Sequence, residues 1–315
     1  MVTQKSVNLK TAGRKAPVLS GMRKDGALYV MLLLPVCYYI LFHYVPMYGV
    51  TIAFKDYNPF QGIFGSPWVG LDVFRDIFKM KEFSRAVRNT LVLNMLNLFL
   101  GFPMPILLAI MLNEVRQTKL KRVYQTLLYL PHFISWVIIG GLVYQLFSES
   151  YGIVNTIIKS FGLPPVPFLT QKSNWIVMYL SVGIWQSAGW GAIIYLAAIT
   201  GIDPQIYEAA VVDGCGKLKM IWNITLPSIK GTVIIMFILN AGRIMNISLD
   251  QPMMLSNVLV EEVSDVISTF VYRVGLQSGK FSVGTAVGLF QSLISLVMLL
   301  TTNFITNKMG NEGIW

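Results

Sequence analysis

Charge is scarce in this chain. Only 13% of its 315 residues are Asp, Glu, Lys or Arg, against 54% hydrophobic, which excludes an ordinary soluble enzyme. Histidine and cysteine are nearly absent, with two of each. His43 and His132 fall in different apolar runs with no carboxylate at ligand spacing, so neither a metal site nor a catalytic constellation is expected. Cys37 lies in the first apolar run and Cys215 in an inner polar loop; a disulfide would have to join two different compartments, so cysteine carries no functional signal. A Gly-x4-Gly-Lys-Ser/Thr phosphate loop is missing as well. Gly279-Lys280 is followed by Phe281 and lacks the earlier glycine, so the chain cannot be its own nucleotide-driven motor. The first apolar run offers no convincing small-x-small cleavage site, and it reads as a retained helix rather than a signal peptide. No internal repeat or low-complexity tract is found.

What is present is hydrocarbon length. Crossing a layer about 30 Å thick takes about 20 helical residues, and six runs qualify: 26–46, 90–113, 124–148, 174–200, 229–249 and 282–306. The net charge of +10 could suggest nucleic acid, but its distribution suggests topology instead. With both termini in the cytoplasm, the inner segments, with Lys230 at the inner edge of the fifth run, carry 14 Lys/Arg against six acidic residues. The outer segments carry ten against nine. That bias sets the expected orientation, although the outer segment 47–88 is itself basic. No nucleic-acid partner is expected; membrane lipid is.

The runs divide the chain into a basic tail over 1–25, a first span with an outer segment over 26–88, a core of five spans over 89–308, and a short inner tail over 309–315. In the outer segment, Leu71, Phe74 and Phe78 recur at helical steps and predict an apolar face. That face could lie on the membrane, on a partner, or on the chain's own helices. A second outer loop holds Pro164-Pro165 and Pro167 beside an amphipathic piece around Ile153–Ile158. A third, 250–281, holds Asp250, Glu261, Glu262 and Asp265. In span four, Gly183, Ser187 and Gly191 repeat every four residues, which permits close helix approach in lipid. Prolines in spans two and three (Pro103, Pro105, Pro131) each free a carbonyl and loosen the helix locally.

The segment 203–227 is the most structured of the polar interruptions. Asp203 can cap a helix whose first residue is Pro204; Gly214 ends it by taking the left-handed conformation. A second short helix, about Lys217 to Asn223, leads back into the membrane. A simple turn needs only a handful of residues, and this one spends far more. Its order is Glu208-Ala209-Ala210, three residues, Gly214, nine residues, then Ile224-Thr225-Leu226-Pro227. That pattern resembles the coupling-loop signature of binding-protein-dependent ABC importer permeases. Asn89-Thr90-Leu91, Leu130-Pro131-His132-Phe133, Gly189-Trp190-Gly191 with Tyr195-Leu196, and Val271-Tyr272-Arg273-Val274-Gly275 with Ala286-Val287-Gly288-Leu289-Phe290 are similar to the carbohydrate-uptake branch. Within it they resemble the LplB-like, MalF-related permeases.

The resemblance implies an all-α, polytopic membrane bundle of six transmembrane helices with the type I (MetI-like) permease core. It implies a non-catalytic subunit paired with a second homologous permease. Two cytoplasmic ATPase subunits that use ATP and Mg would grip the coupling loop through Glu208, Ala209, Ala210, Gly214, Ile224, Leu226 and Pro227. An extracellular sugar-binding lipoprotein would deliver an oligosaccharide.

A sugar pathway needs aromatic faces, amides and hydroxyls. Spans four and five offer Trp185, Gln186, Trp190 and Tyr195, then Asn240, Arg243, Asn246, Asp250 and Gln251. The tryptophans serve equally as an interfacial belt or as helix packing. Arg243, read as about 18 Å along a helix from Gly231, should line the pathway, form an ion pair or snorkel. The resemblance does not vouch for it. Two other classes are weighed. A permease of this architecture for an amino acid or phosphonate shares the loop signature. A membrane-embedded sugar-lipid enzyme would need clustered acids near one membrane face; the inner face offers Glu208 and Asp213, but both belong to the loop that resembles the coupling signature.

Overall fold

A computed structural model describes residues 26–310 and 313–314. The expected basic tail over 1–25 lies outside the described residues, as do positions 311, 312 and 315 of the inner tail. The described chain is helical, with one isolated antiparallel bridge, Lys55 to Trp68. Among the described residues four helical stretches are long and apolar enough to cross a membrane: Gly26–Phe54, Lys81–Glu114, Lys172–Thr200 and Phe281–Lys308. The number is six if each of two bent helix pairs counts as one crossing.

The chain falls into two compact units, divided at Thr51 and Ile52. In the first, α1 (Gly26–Tyr39) runs into a π-helical turn, Ile40–Tyr44. The Val45 amide donates to Ile40 O, five residues back, immediately before Pro46. A proline has no N–H to give, so the ladder loosens ahead of it.

The second unit holds the rest. α2 (Asp72–Lys79) buries Val73, Phe74 and Ile77 rather than the Leu71/Phe74/Phe78 face expected from sequence. It closes on its own chain, with Phe78 against the rings of Phe83 and Phe290 at 5.6 and 5.5 Å. Ser282 pins the outer segment here: its hydroxyl donates to Lys55 O and accepts from the Tyr57 amide. α3 (Lys81–Leu100) and α4 (Pro103–Glu114) form one long crossing interrupted at Gly101-Phe102. There both amides share Asn97 O, and Pro103 and Pro105 contribute no donor.

The third expected span is not one straight helix but a bent pair. α5 (Thr118–Tyr129) and α6 (Trp136–Phe147) meet at 100°. Pro131 lies in the short turn Leu130–Phe133, the Ile134 amide donates to Pro131 O, and Ser135 goes extended to cap α6 at Ile138 N. A proline expected to loosen the helix redirects it instead. α7 (Ile153–Ser160) comes next, and buried Asn155 fixes the proline-rich loop by bonding both the amide and the carbonyl of Val166.

α8 (Lys172–Thr200) is the axle of the bundle, 29 residues long and packed along α4. α9 (Pro204–Val212) and α10 (Lys217–Ser228) form the segment whose sequence resembles a coupling loop; the latter extends past the Asn223 end expected from sequence. A 63° bend at Ile229 leads into α11 (Lys230–Gly242). The fifth span therefore ends at Gly242 and not at 249.

The supposed third outer loop is a packed layer of short helices: α12 (Asp250–Leu255), α13 (Glu261–Ser264), α14 (Ile267–Phe270) and a π turn, Val271–Gln277. Leu255, Val260, Val266 and Phe270 are fully buried in it. Asp265, only 1% exposed at its side chain, sits between Arg85 (3.1 Å) and Arg273 (2.8 Å) and accepts from Thr269. A buried carboxylate is tolerable only when so paired and hydrogen-bonded. α15 (Phe281–Lys308) completes the bundle against α11.

Small residues set the closest contacts. A Cβ on Gly189 would collide with the backbone carbonyl of Leu128, whereas one on Gly191 would meet only the Pro105 ring at 3.1 Å. Gly189→Ala should destabilise the fold by about 1–3 kcal/mol, as overpacking against an unyielding neighbour does. Gly191→Ala should cost less. Thermal unfolding of the purified protein in detergent checks this; equal midpoints for Gly189→Ala and wild type would refute the close approach of α5 and α8.

Candidate functional site

Chain that leaves a helix inside hydrocarbon must find partners for its backbone within the protein. Residues 243–249 do so. Asn94 of α3 donates to Ile244 O at 2.7 Å. Gln291 of α15 donates to Met245 O and to Asn246 Oδ1, both at 2.6 Å. The Asn246 amide then donates to Ser295 at 3.2 Å. Below, Gln251 donates to Tyr179 O at 3.0 Å and Gln186 to His132 O at 3.3 Å.

These groups enclose a cavity of about 240 Å³ lined by Asn94, Asn97, Trp136, Tyr179, Gln186, Ser187, Asn246, Ser248 and Gln251, with Leu93, Leu180, Gly183 and Ile247. No charged side chain is in that lining. Gln186 and Ser187 stand midway along α8, roughly 21 Å from either end, so the cavity lies at the middle of a helix long and apolar enough to cross a membrane. Polar groups at that depth are costly and mark a pathway by default.

Of the nine pathway residues expected from sequence, the structure brings three together here: Gln186, Asn246 and Gln251. The others lie elsewhere. Arg243 is not within a helix; it is the exposed residue that ends α11, outside the cavity lining. Its amide donates to Asn240 O and its carbonyl accepts from Asn246 N, so it helps turn the chain. The helical distance expected for it does not apply. Asn240 bonds back to Met236 O in its own helix, and Asp250 opens α12. Trp185 faces a separate apolar groove with Ile139, Val143 and Phe147. Trp190 stacks on His132 at 4.8 Å and 3°. Tyr195 is 2% exposed, in a core cluster with Ala109, Leu112 and Ile229. The sequence reading missed Asn94, Asn97, Trp136, Ser187 and Gln291. The available signal was amides inside uncharged runs of spans two and six.

The coupling segment has the geometry read from its sequence. The Asp203 carboxylate accepts from the Gln205 amide at 3.0 Å ahead of Pro204. Gly214 takes φ +73°, and the amides of Asp213 and Cys215 close the helix on Ala209 O and Ala210 O. Tyr207 and Thr225 join the two limbs through their hydroxyls at 2.9 Å, and Lys217 pairs with Glu114 at 2.7 Å. Glu208, Ala209 and Pro227 are exposed; Ala210, Ile224 and Leu226 are half-buried. Glu208 forms no ion pair among the described residues. Ile206, Val211, Val212, Leu218 and Trp222 on the same two helices are exposed as well, apolar surface on a polar segment. Apolar exposure of this kind marks an interaction surface.

The chain belongs to the family of binding-protein-dependent transport system inner membrane components, matched over residues 101–310. It is a transport permease component, embedded in the membrane. It is 39% identical to protein LplB of Bacillus subtilis (strain 168) over 305 residues, 97% of this chain and 96% of that protein. It is 45% identical to the polygalacturonan/rhamnogalacturonan transport system permease protein YteP of the same strain over 288 residues, 91% and 90% of the two chains. Among solved structures it is similar to a chain of a bacterial ABC transporter involved in import of the acidic polysaccharide alginate. The TM-score is 0.85 at 40% identity, covering 93% of this chain and 99% of that one. A second match is the alginate transporter in complex with an alginate pentasaccharide-bound periplasmic protein, with a TM-score of 0.86 at 39% identity, covering 95% and 100%.

Gly214→Ala should strain the break between α9 and α10 by about 1–2 kcal/mol, the cost of a left-handed conformation for a residue with a Cβ. In reconstituted complexes it should lower transport more than it lowers the amount of folded permease. Parallel losses of the two would show that only folding was affected.

Proposed function

We propose that this chain is the membrane permease subunit of an ATP-driven importer that translocates an oligosaccharide handed over by an extracellular sugar-binding lipoprotein. The observation that carries the reading is the cavity halfway along α8, lined by amides and hydroxyls with Trp136 and Tyr179 beside them. Aromatic faces suit the C–H surfaces of a sugar ring, and amides suit its hydroxyls. The relatives named for polygalacturonan/rhamnogalacturonan and alginate transport support the carbohydrate class. No cation lines the cavity, so an acidic sugar would be held here through hydrogen bonds rather than ion pairs.

In this reading a second homologous permease completes the pathway, and two ATPase subunits, using ATP and Mg, dock on the segment from Glu208 to Pro227. Glu208 pairs with a cation of the ATPase while the apolar surface of the same segment is buried. Both termini lie in the cytoplasm. ATPase closure pushes α9 and α10, and the rigid joint carries the push into α11 and the α4–α5 corner. The cavity then alternates between the two sides, in a domain rearrangement driven by differential binding of nucleotide.

With the second permease, the ATPase and the delivery protein reconstituted in liposomes, uptake of labelled oligosaccharide should require ATP. Asn246→Ala with Gln251→Ala should lower uptake about tenfold, the equivalent of about 1.4 kcal/mol, while ATPase stimulation by the delivery protein persists. Unchanged uptake in that variant would remove the cavity from the pathway. In the same complex, trapping the ATPase closed should change the thiol-labelling rate of half-buried Cys215. A rate indifferent to nucleotide would detach this segment from the motor.

A further inference from the structure

One face of α3 changes character halfway along. Lys81, Ser84, Arg85 and Arg88 recur at steps of three and four and so share a face. With Lys79 and Glu262 they line a cavity of about 440 Å³ at that end of the helix. The same steps continue through Leu91, Val92, Met95 and Phe99, all exposed. Asn94 and Asn97, which line the polar cavity, are turned about 120° or more from Arg88 at 3.6 residues per turn. A group held in the basic pocket is therefore not on the route to the polar cavity.

The charges there are unequally satisfied. Lys79 pairs with Asp76 at 3.1 Å, Arg85 with Glu261 at 2.8 Å and Asp265 at 3.1 Å, and Glu262 with Lys172. Lys81 has no carboxylate within ion-pair distance among the described residues. Arg88 reaches only Asn89 Oδ1 at 3.4 Å and Glu262 O at 3.5 Å. Two cations thus face one opening at the head of a bare apolar strip.

We propose that this face of α3 binds one anionic phospholipid, its phosphate between Lys81 and Arg88 and an acyl chain along Leu91, Val92, Met95 and Phe99. From Arg88 to Phe99 the strip is about 16 Å long, roughly the share of a 30 Å hydrocarbon layer that belongs to one leaflet. Basic pockets beside apolar helix surface are suited to lipid phosphates, through charge-assisted hydrogen bonds. The Lys217–Glu114 pair places the coupling segment at the other end of this crossing. The lipid accordingly belongs to the leaflet opposite, the outer one in the orientation proposed above.

Native mass spectrometry of the purified complex, with phosphatidylglycerol and phosphatidylcholine of matched chains, tests this. Phosphatidylglycerol should be retained about tenfold more strongly, and Lys81→Gln with Arg88→Gln should abolish the preference. Both side chains are exposed, so the lipid-free thermal midpoint should not move. Met95→Gln should weaken retention of phosphatidylglycerol as well. Equal retention of the two lipids, or a preference that survives the double substitution, overturns the proposal. So does inorganic phosphate that protects against heat as well as phosphatidylglycerol does, since the site would then bind a free anion. Cross-linking of Met95→Cys to the second permease also overturns it, because protein would cover the strip.

Discussion

Hydrocarbon offers no hydrogen bonds, and this bundle carries an unwound stretch at its middle. Each backbone group left alone between Gly242 and Asp250 would cost several kcal/mol, more than an ordinary hydrogen bond returns. Asn94 and Gln291 answer that demand from two different helices, and Gln251 fastens the next turn to α8. The unwinding and the amides therefore require each other. Together they open a pocket where six continuous helices would have left only packed side chains, and they tie α3, α8 and α15 to one short strand of irregular chain.

That pocket is polar without being charged. A cation buried there would have needed a partner or a water-filled mouth, and its attraction for an anionic cargo would oppose release. Amides and hydroxyls interact modestly and can exchange with water. Charge is kept at the ends instead. Asp265 holds Arg85 and Arg273 in a network that closes one end of the bundle, and Glu114 and Lys217 meet at the other.

Most of the helical layout was legible in the sequence because hydrocarbon thickness dictates run length. The coupling segment was legible down to its cap and its break, since Asp203-Pro204 and Gly214 act locally. Three features were not. Ile244, Met245, Ile247 and Leu249 read as the continuation of a span, and only amides far along the chain show that the helix stops at Gly242. Pro131 signals a weakened helix, but the 100° turn depends on Ser135 capping α6. Glu261, Glu262 and Asp265 read as acids of an outer loop; of the two arginines that let Asp265 be buried, Arg85 is distant in sequence. Of the residues that line the cavity, composition had pointed to Gln186, Asn246 and Gln251, whereas Tyr195 has similar chemistry in a position enclosed by core.

The clasp between Tyr207 and Thr225 leaves the inner elbow little slack. In the proposed transport cycle, a displacement applied there would reach α11 and, through Lys217 and Glu114, the preceding corner together. The elbow would then serve as a stiff wedge seated under two crossings. Its seating includes an ion pair open to water, which dissolved salt screens, so the mechanical tightness of the joint depends on the ionic strength of the solution that bathes it.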